Sequence, residues 1–130
     1  MKIIIDTNFI LICVKEKIDL FENLKRIFGV YEIILPNQVV SELKNLSGNK
    51  ELKLKEREAA EISVKILKAN NATKVESKTK DADTAILDYA KKNKESIIAT
   101  LDRNLKDKIL RSDKARKFLI IKQKKYLVLS

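Results

Sequence analysis

Histidine and tryptophan are both missing from this chain of 130 residues, which holds one cysteine, one proline and two glycines. Without histidine there is no imidazole base, no Ser-His-Asp or Cys-His catalytic arrangement, and little prospect of a zinc site. Any hydrolysis must run on carboxylates, lysines, hydroxyls and water activated by a metal. A single cysteine excludes an intrachain disulfide and makes a reducing cytoplasm the expected compartment. Cys13 follows Ile10, Leu11 and Ile12, the setting of a core thiol and not of a nucleophile. So little glycine and proline leaves no room for flexible linkers, and no internal repeat is present. No apolar run nears the roughly 18 residues of a membrane span. Asp6 also breaks the N-terminal apolar stretch too early for a secretory pattern. The length predicts a single domain, residues 1–130, with enough chain for an ordinary hydrophobic core.

Negative charge is scarce too, with 18 Asp and Glu against 28 Lys and Arg, a formal net charge of +10. Between residues 103 and 125 ten bases face only Asp107 and Asp113, so most of the surplus is local to the last quarter of the chain. Localised positive charge is the footprint of a nucleic-acid partner, and lysines kept only for solubility are the plain alternative. Arg103, Lys106, Arg111, Lys122, Lys124 and Lys125 are the candidate phosphate-binding residues. Residues 50–68 mix the two signs almost evenly, which describes a solvated helix face.

Apolar runs alternate with helical periodicity along the chain. Strands are predicted at 2–5, 31–35 and 96–100, a short edge strand at 73–76, and further strands near 118–121 and 126–129. Helices are predicted from about Thr7, then over Phe21, Leu24, Ile27 and Phe28 up to Gly29. Another carries Val39, Val40, Leu43 and Leu46, with Pro36 in its first turn, and others span about 51–69, 83–92 and 103–110. This alternation predicts an α/β fold: a three-layer α/β/α sandwich around a mainly parallel sheet of four to five strands, joined by right-handed crossovers.

Acids sit where such a fold binds ligands. Asp6 ends the run Ile3-Ile4-Ile5, and Asp102 follows Ile97-Ile98-Ala99-Thr100 in the same way. The carboxyl edge of an open parallel sheet is its ligand-binding edge. Either aspartate alone is explained equally well as a helix N-cap; the pair, on two strands, favours a site. On a helical wheel Glu42 falls about 90° from the centre of its helix's buried stripe, a flank from which a side chain reaches toward a cleft. Asp83 shares the face of Ile86, Leu87 and Ala90, so it heads a buried stripe and needs a partner: helix N–H groups or a metal. Asp81, just outside that helix, is expected at the surface. Four converging carboxylates cannot all stay ionised without cations among them. An all-oxygen set suits Mg²⁺ or Mn²⁺. Thr7, Asn8 and Thr100 are placed to orient the carboxylates as supporting polar groups.

These pieces in order, Ile3-Ile4-Ile5-Asp6-Thr7-Asn8, Pro36 to Leu43, Asp83-Thr84-Ala85-Ile86-Leu87 and Ala99 to Leu105, resemble the PIN-domain ribonucleases. The resemblance covers nearly the whole chain. It implies the α/β/α fold, Mg²⁺- or Mn²⁺-dependent cleavage of single-stranded RNA, and the family's acidic metal-binding residues at Asp6, Glu42, Asp83 and Asp102. Thr100 corresponds to the family's polar residue beside the last acid. Two branches fit: VapC-type toxins, which cut tRNA or rRNA and are held by an antitoxin, and ribonucleases that process small-subunit rRNA alongside ribosome-assembly proteins. The basic stretch 120–127 is more similar to the second. A PIN module that binds RNA without cutting is the rival reading, and a homodimer through exposed helix faces is compatible with the sequence. A phosphatase of the haloacid dehalogenase type is disfavoured because Asn8 stands where its second aspartate belongs. A receiver domain lacks its early paired acids here.

Overall fold

Ile3, Ile4 and Ile5 are all fully buried, so successive side chains, which point to opposite faces of a strand, must be covered on both sides. A computed structural model describing residues 1–130 shows how. In chain order the elements are β1 (Lys2–Ile5), α1 (Thr7–Lys15), α2 (Leu20–Phe28), β2 (Glu32–Pro36), α3 (Asn37–Gly48), α4 (Leu54–Ala69), β3 (Thr73–Val75), α5 (Ala82–Lys92), β4 (Ile97–Ala99), α6 (Arg103–Ser112), β5 (Leu119–Lys122) and β6 (Tyr126–Leu129). The central sheet is parallel, in the order β3-β2-β1-β4.

That order reverses direction at β1. The chain winds outward from β1 through β2 to β3, then crosses over to β4 on the other side of β1. Right-handed crossovers then put α1–α4 on one face and α5 and α6 on the other. The packing has α3 and α1 against α4 and α5 against α6, while α3 also touches α5 and α2 packs on β6. The reversal opens a crevice outside the carboxyl ends of β1 and β4, where such folds bind ligands. Ile5 pairs with Ala99 across these two strands, so the residues that follow them emerge side by side.

β5 joins the sheet through one parallel bridge, Phe118 to Ile98, and pairs antiparallel with β6. Because β5 runs parallel to β4, its far end points toward the same carboxyl edge. Lys122 lies four residues past Phe118, as Asp102 lies four past Ile98. The turn beyond it holds Gln123 and Lys124 at positive φ, 54° each. Such φ values fit the right-handed twist of the flanking strands. β6 is pinned to α2, where Asn23 Oδ1 accepts from the Leu127 amide at 3.0 Å and an Arg26 guanidinium nitrogen donates to the Leu127 carbonyl at 2.7 Å.

The structure shifts a few expected boundaries. Pro36 closes β2 and stands just before α3, not inside its first turn. α4 starts at Leu54, not near Glu51, and lacks a side-chain cap. Cys13 is buried, and burial pushes its thiol up to about 12, as expected of a core cysteine.

Candidate active site at the carboxyl edge of the sheet

Asp6 leaves β1 and caps α1, its Oδ1 accepting from the Thr7 amide at 2.8 Å. Its Oδ2 accepts from the Thr100 hydroxyl, also at 2.8 Å. Asp102 caps α6 through Oδ1 and the Leu105 amide at 3.2 Å, while its own amide donates to Thr100 Oγ1 at 3.1 Å. Thr100 is fully buried, and its one hydroxyl thus ties the two strand-end aspartates together. Both aspartates cap a helix and still sit in the crevice. Capping uses a single oxygen of each, so the two readings of these residues are compatible.

Glu42, exposed on α3, joins through Thr7, whose hydroxyl donates to Glu42 Oε2 at 2.5 Å. Asp83 stands in the first turn of α5 and is exposed, which corrects its expected place in the buried stripe. Its face is nevertheless the predicted one. Its carboxyl is pushed up to about 6 by burial against the site, by a hydrogen bond that its protonated form gives Asp102, and by the charges of Asp102, Asp6 and Asp81. Burial likewise pushes Asp6 up; the Thr100 hydroxyl and Thr7 amide pull it back, and the Asp102 charge adds to the rise. The N–H groups opening α5 do not neutralise Asp83. The cap is Asp81, whose Oδ1 accepts from the Thr84 amide at 2.7 Å, a bond that lowers its own pKa.

None of these acids forms a salt bridge. The ion pairs of the molecule are Lys15–Glu56, Lys65–Glu61, Lys74–Glu76 and Arg116–Asp113. In a chain with a net charge of +10, four neighbouring carboxylates are left without a basic partner. No three of the acids lie close enough together to form a cluster that could hold a metal ion. The donors are all hard oxygens, the kind that Mg²⁺ and Mn²⁺ take. They do not fit a softer ion.

The raised pKa of Asp83 has a measurable consequence. The folded chain holds its proton up to about pH 6, while the unfolded chain releases it near 3.8. Its ionised form therefore weakens the fold, fully above about pH 6 and not at all below the unfolded value. Metal-free protein should gain stability as the pH falls from about 7 to 5. Asp83→Asn should flatten that slope and add about 1 kcal/mol near neutrality, an effect kept small by solvent screening at an exposed group. Thermal melts of wild type and variant across this range provide the check.

The expected basic residues divide. Arg103, Arg111, Lys122, Lys124 and Lys125 are exposed, the last three on the hairpin that runs toward the acidic edge. Arg111, in the last turn of α6, lies about 12 Å along the axis from Arg103. Lys106 is half-buried, its Nζ 5.8 Å from the centre of the Phe118 ring. Burial and Arg103 lower its pKa, so it is tied up with the core edge. Arg116, counted within the basic stretch, is buried and faces no solvent. Asn8 is exposed and, with Asp102, Leu101 and Leu11, lines a cavity of about 570 Å³ beside the acids. Two residues at the site carried no signal in the sequence: Asn37 and Gln38 at the start of α3, which bond to a loop about 40 positions away.

A doubly wound sheet with acids free of salt bridges at its point of reversal defines the class: an α/β protein with carboxylates gathered at the ligand-binding edge of its sheet. Known proteins narrow this. The PIN-like domain profile matches residues 3–124. Ribonuclease VapC4 of Methanocaldococcus jannaschii is 34% identical over 126 residues, covering 96% of this chain and 93% of that protein. Among solved structures, the PIN domain endonuclease Utp24 is similar at a TM-score of 0.79 and 29% identity, over 99% of this chain and 90% of the other. A domain of a functionally unknown protein from Methanocaldococcus jannaschii shares the fold at a TM-score of 0.57 and 22% identity, over 93% and 91% of the two chains. The chain belongs to the PIN-like domain family.

Proposed function

We propose that this chain is a divalent-metal-dependent endoribonuclease that hydrolyses phosphodiester bonds of single-stranded RNA. Kinship with a named ribonuclease and a named endonuclease supports the activity. The observation that carries the metal dependence is the group of four acids without a basic partner at the carboxyl edge. Asp6, Glu42, Asp83 and Asp102 would hold Mg²⁺ or Mn²⁺. A bound ion at such a site stabilises charge on the phosphate and makes water a better nucleophile. The chain's own contribution is orientation. Thr100 fixes Asp6 against Asp102, and Thr7 fixes Glu42 against Asp6. No imidazole competes for the proton, since the chain has no histidine.

RNA would enter along the basic rim. Lys122, Lys124 and Lys125 lie on a hairpin directed to the same edge as the acids, with Arg103 at the start of α6 beside Asp102. Replacing the three hairpin lysines by alanine should weaken RNA binding and lower the slope of log affinity against log salt by up to about 2, at roughly 0.7 per phosphate contact on a single strand. Fluorescence titrations at several salt concentrations measure it, and an unchanged slope would place the RNA elsewhere. Arg111, at the far end of α6, should contribute least.

Two biological roles remain as proposals, both in the cytoplasm. Kinship with Ribonuclease VapC4 favours a toxin acting on tRNA or rRNA and held by an antitoxin. The basic hairpin favours rRNA processing with ribosome-assembly proteins. The activity itself is tested by incubating single-stranded RNA with the protein after chelation, then restoring Mn²⁺ or Mg²⁺. Cleavage should stop and return. RNA bound but never cut would mark a non-catalytic module.

A further inference from the structure

The sheet positions two of the four acids directly, while the other two stand on helices and reach them through Thr7 and through Asp102. Asp6 and Asp102 leave adjacent paired strands. Glu42 and Asp83 stand on α3 and α5, helices that touch each other, and the loop leading into α5 bears on their separation. The segment between β3 and α5, residues 76–80, makes no backbone–backbone hydrogen bond outside the regular elements. Side chains from the start of α3 hold it instead. Asn37 Oδ1 accepts from the Ser77 amide at 2.7 Å. Gln38 Nε2 donates to the Ser77 carbonyl at 3.0 Å, the Thr79 carbonyl at 2.7 Å and Thr79 Oγ1 at 3.2 Å. Thr79 Oγ1 in turn donates to the Asp81 carbonyl at 3.2 Å, and Asp81 caps the helix that carries Asp83.

We propose that Gln38 is a positioning residue, clamping the 77–79 loop so that Asp83 is held at a fixed separation from Glu42. The inference rests on the reading of Glu42 and Asp83 as ligands of a shared divalent cation. Gln38 and Glu42 are four residues apart and so lie on one face of α3; a single helix turn thus carries both the clamp and a ligand. Gln38 is 7% exposed, and its Oε1 has no partner. The side chain is anchored through its amide hydrogens alone, all directed to the loop. A glutamate there would oppose three acceptors with two more, and a methionine would keep the length but lose both donors.

The test is Mn²⁺ binding by calorimetry on the whole chain, for wild type, Gln38→Met, Gln38→Glu and Thr79→Val. Leu127→Ala in β6 is the control, a core truncation with no contact to the clamp. Outer groups that orient metal ligands typically contribute 10–100-fold in affinity. Gln38→Met should lose about tenfold or more, with Gln38→Glu at least as weak. Cleavage by Gln38→Met should need more Mn²⁺ yet recover most of its rate at saturation. Thr79→Val alters a half-buried loop position that keeps the fold, and it should weaken binding in the same direction. Leu127→Ala should melt earlier but bind Mn²⁺ as wild type does. Wild-type affinity in Gln38→Met and Thr79→Val, or an equal loss in Leu127→Ala, overturns the proposal while leaving the metal site standing. Wild-type protein that binds no Mn²⁺ sinks the metal reading, and this inference with it.

Discussion

Asp6→Asn should abolish RNA cleavage while the protein stays folded. Asparagine keeps an acceptor for the Thr7 amide and is itself a favoured N-cap, so the start of α1 should survive. The negative charge is what disappears, and with it one of the carboxylates assigned to the ion. Metal stabilisation of the transition state is worth several kcal/mol, which corresponds to about three orders of magnitude in rate. RNA affinity should hold or rise, since an acid beside a polyanion has been neutralised. Product formation and binding, measured on the same preparation, separate the two effects. Cleavage equal to wild type would remove Asp6 from the mechanism.

The largest stability effect is expected at Arg116, far from the acids. Its guanidinium donates to the carbonyls of Ala90 at 2.7 Å, Asn93 at 2.6 Å and Ser96 at 3.0 Å, and also to the Ser96 hydroxyl. Ala90 and Asn93 lie at the C-terminal end of α5, where carbonyls lack intrahelical partners and a cation meets the negative end of the helix dipole. Ser96 immediately precedes β4. One side chain thus joins the end of α5 to the start of the strand that delivers Asp102. Arg116→Met keeps much of the bulk but orphans several buried carbonyls, at a cost of roughly 3–5 kcal/mol. Against the 5–15 kcal/mol typical of a whole domain, that should lower the melting midpoint by about 10 °C or more. The salt dependence of RNA binding should not change, because the charge is buried. A reduced salt slope with unaltered melting would show Arg116 facing RNA instead.

Arg116 also shows where sequence reading stops. The three-isoleucine run before Asp6 and the parallel pattern before Asp102 are local signals, because a strand buried on both faces reads as continuous apolar sequence. The sheet, its crevice and two acids follow from them. Glu42 was legible from its angle on the helical wheel, as was the direction of Asp83. The depth of Asp83 was not: Ala82 before it is buried, while Asp83 itself is exposed at the opening turn of α5. Arg116 reads as one more base in a basic stretch; only the meeting of residues 90, 93 and 96 makes it internal. Lys106 is drawn half out of the solvent over Phe118, twelve positions on. The Gln38 clamp spans 39 to 41 positions, beyond the reach of any periodicity. Local pattern thus places strand-end acids well. It misses interactions set by tertiary approach.

Crystals soaked in Mn²⁺ and measured at its absorption edge test the shared-ion account most directly. The prediction is an anomalous peak enclosed by Asp6, Glu42, Asp83 and Asp102, lost in crystals of Asp6→Asn. An active enzyme whose crystals show no ion there, or whose peak persists unchanged in Asp6→Asn, would contradict it.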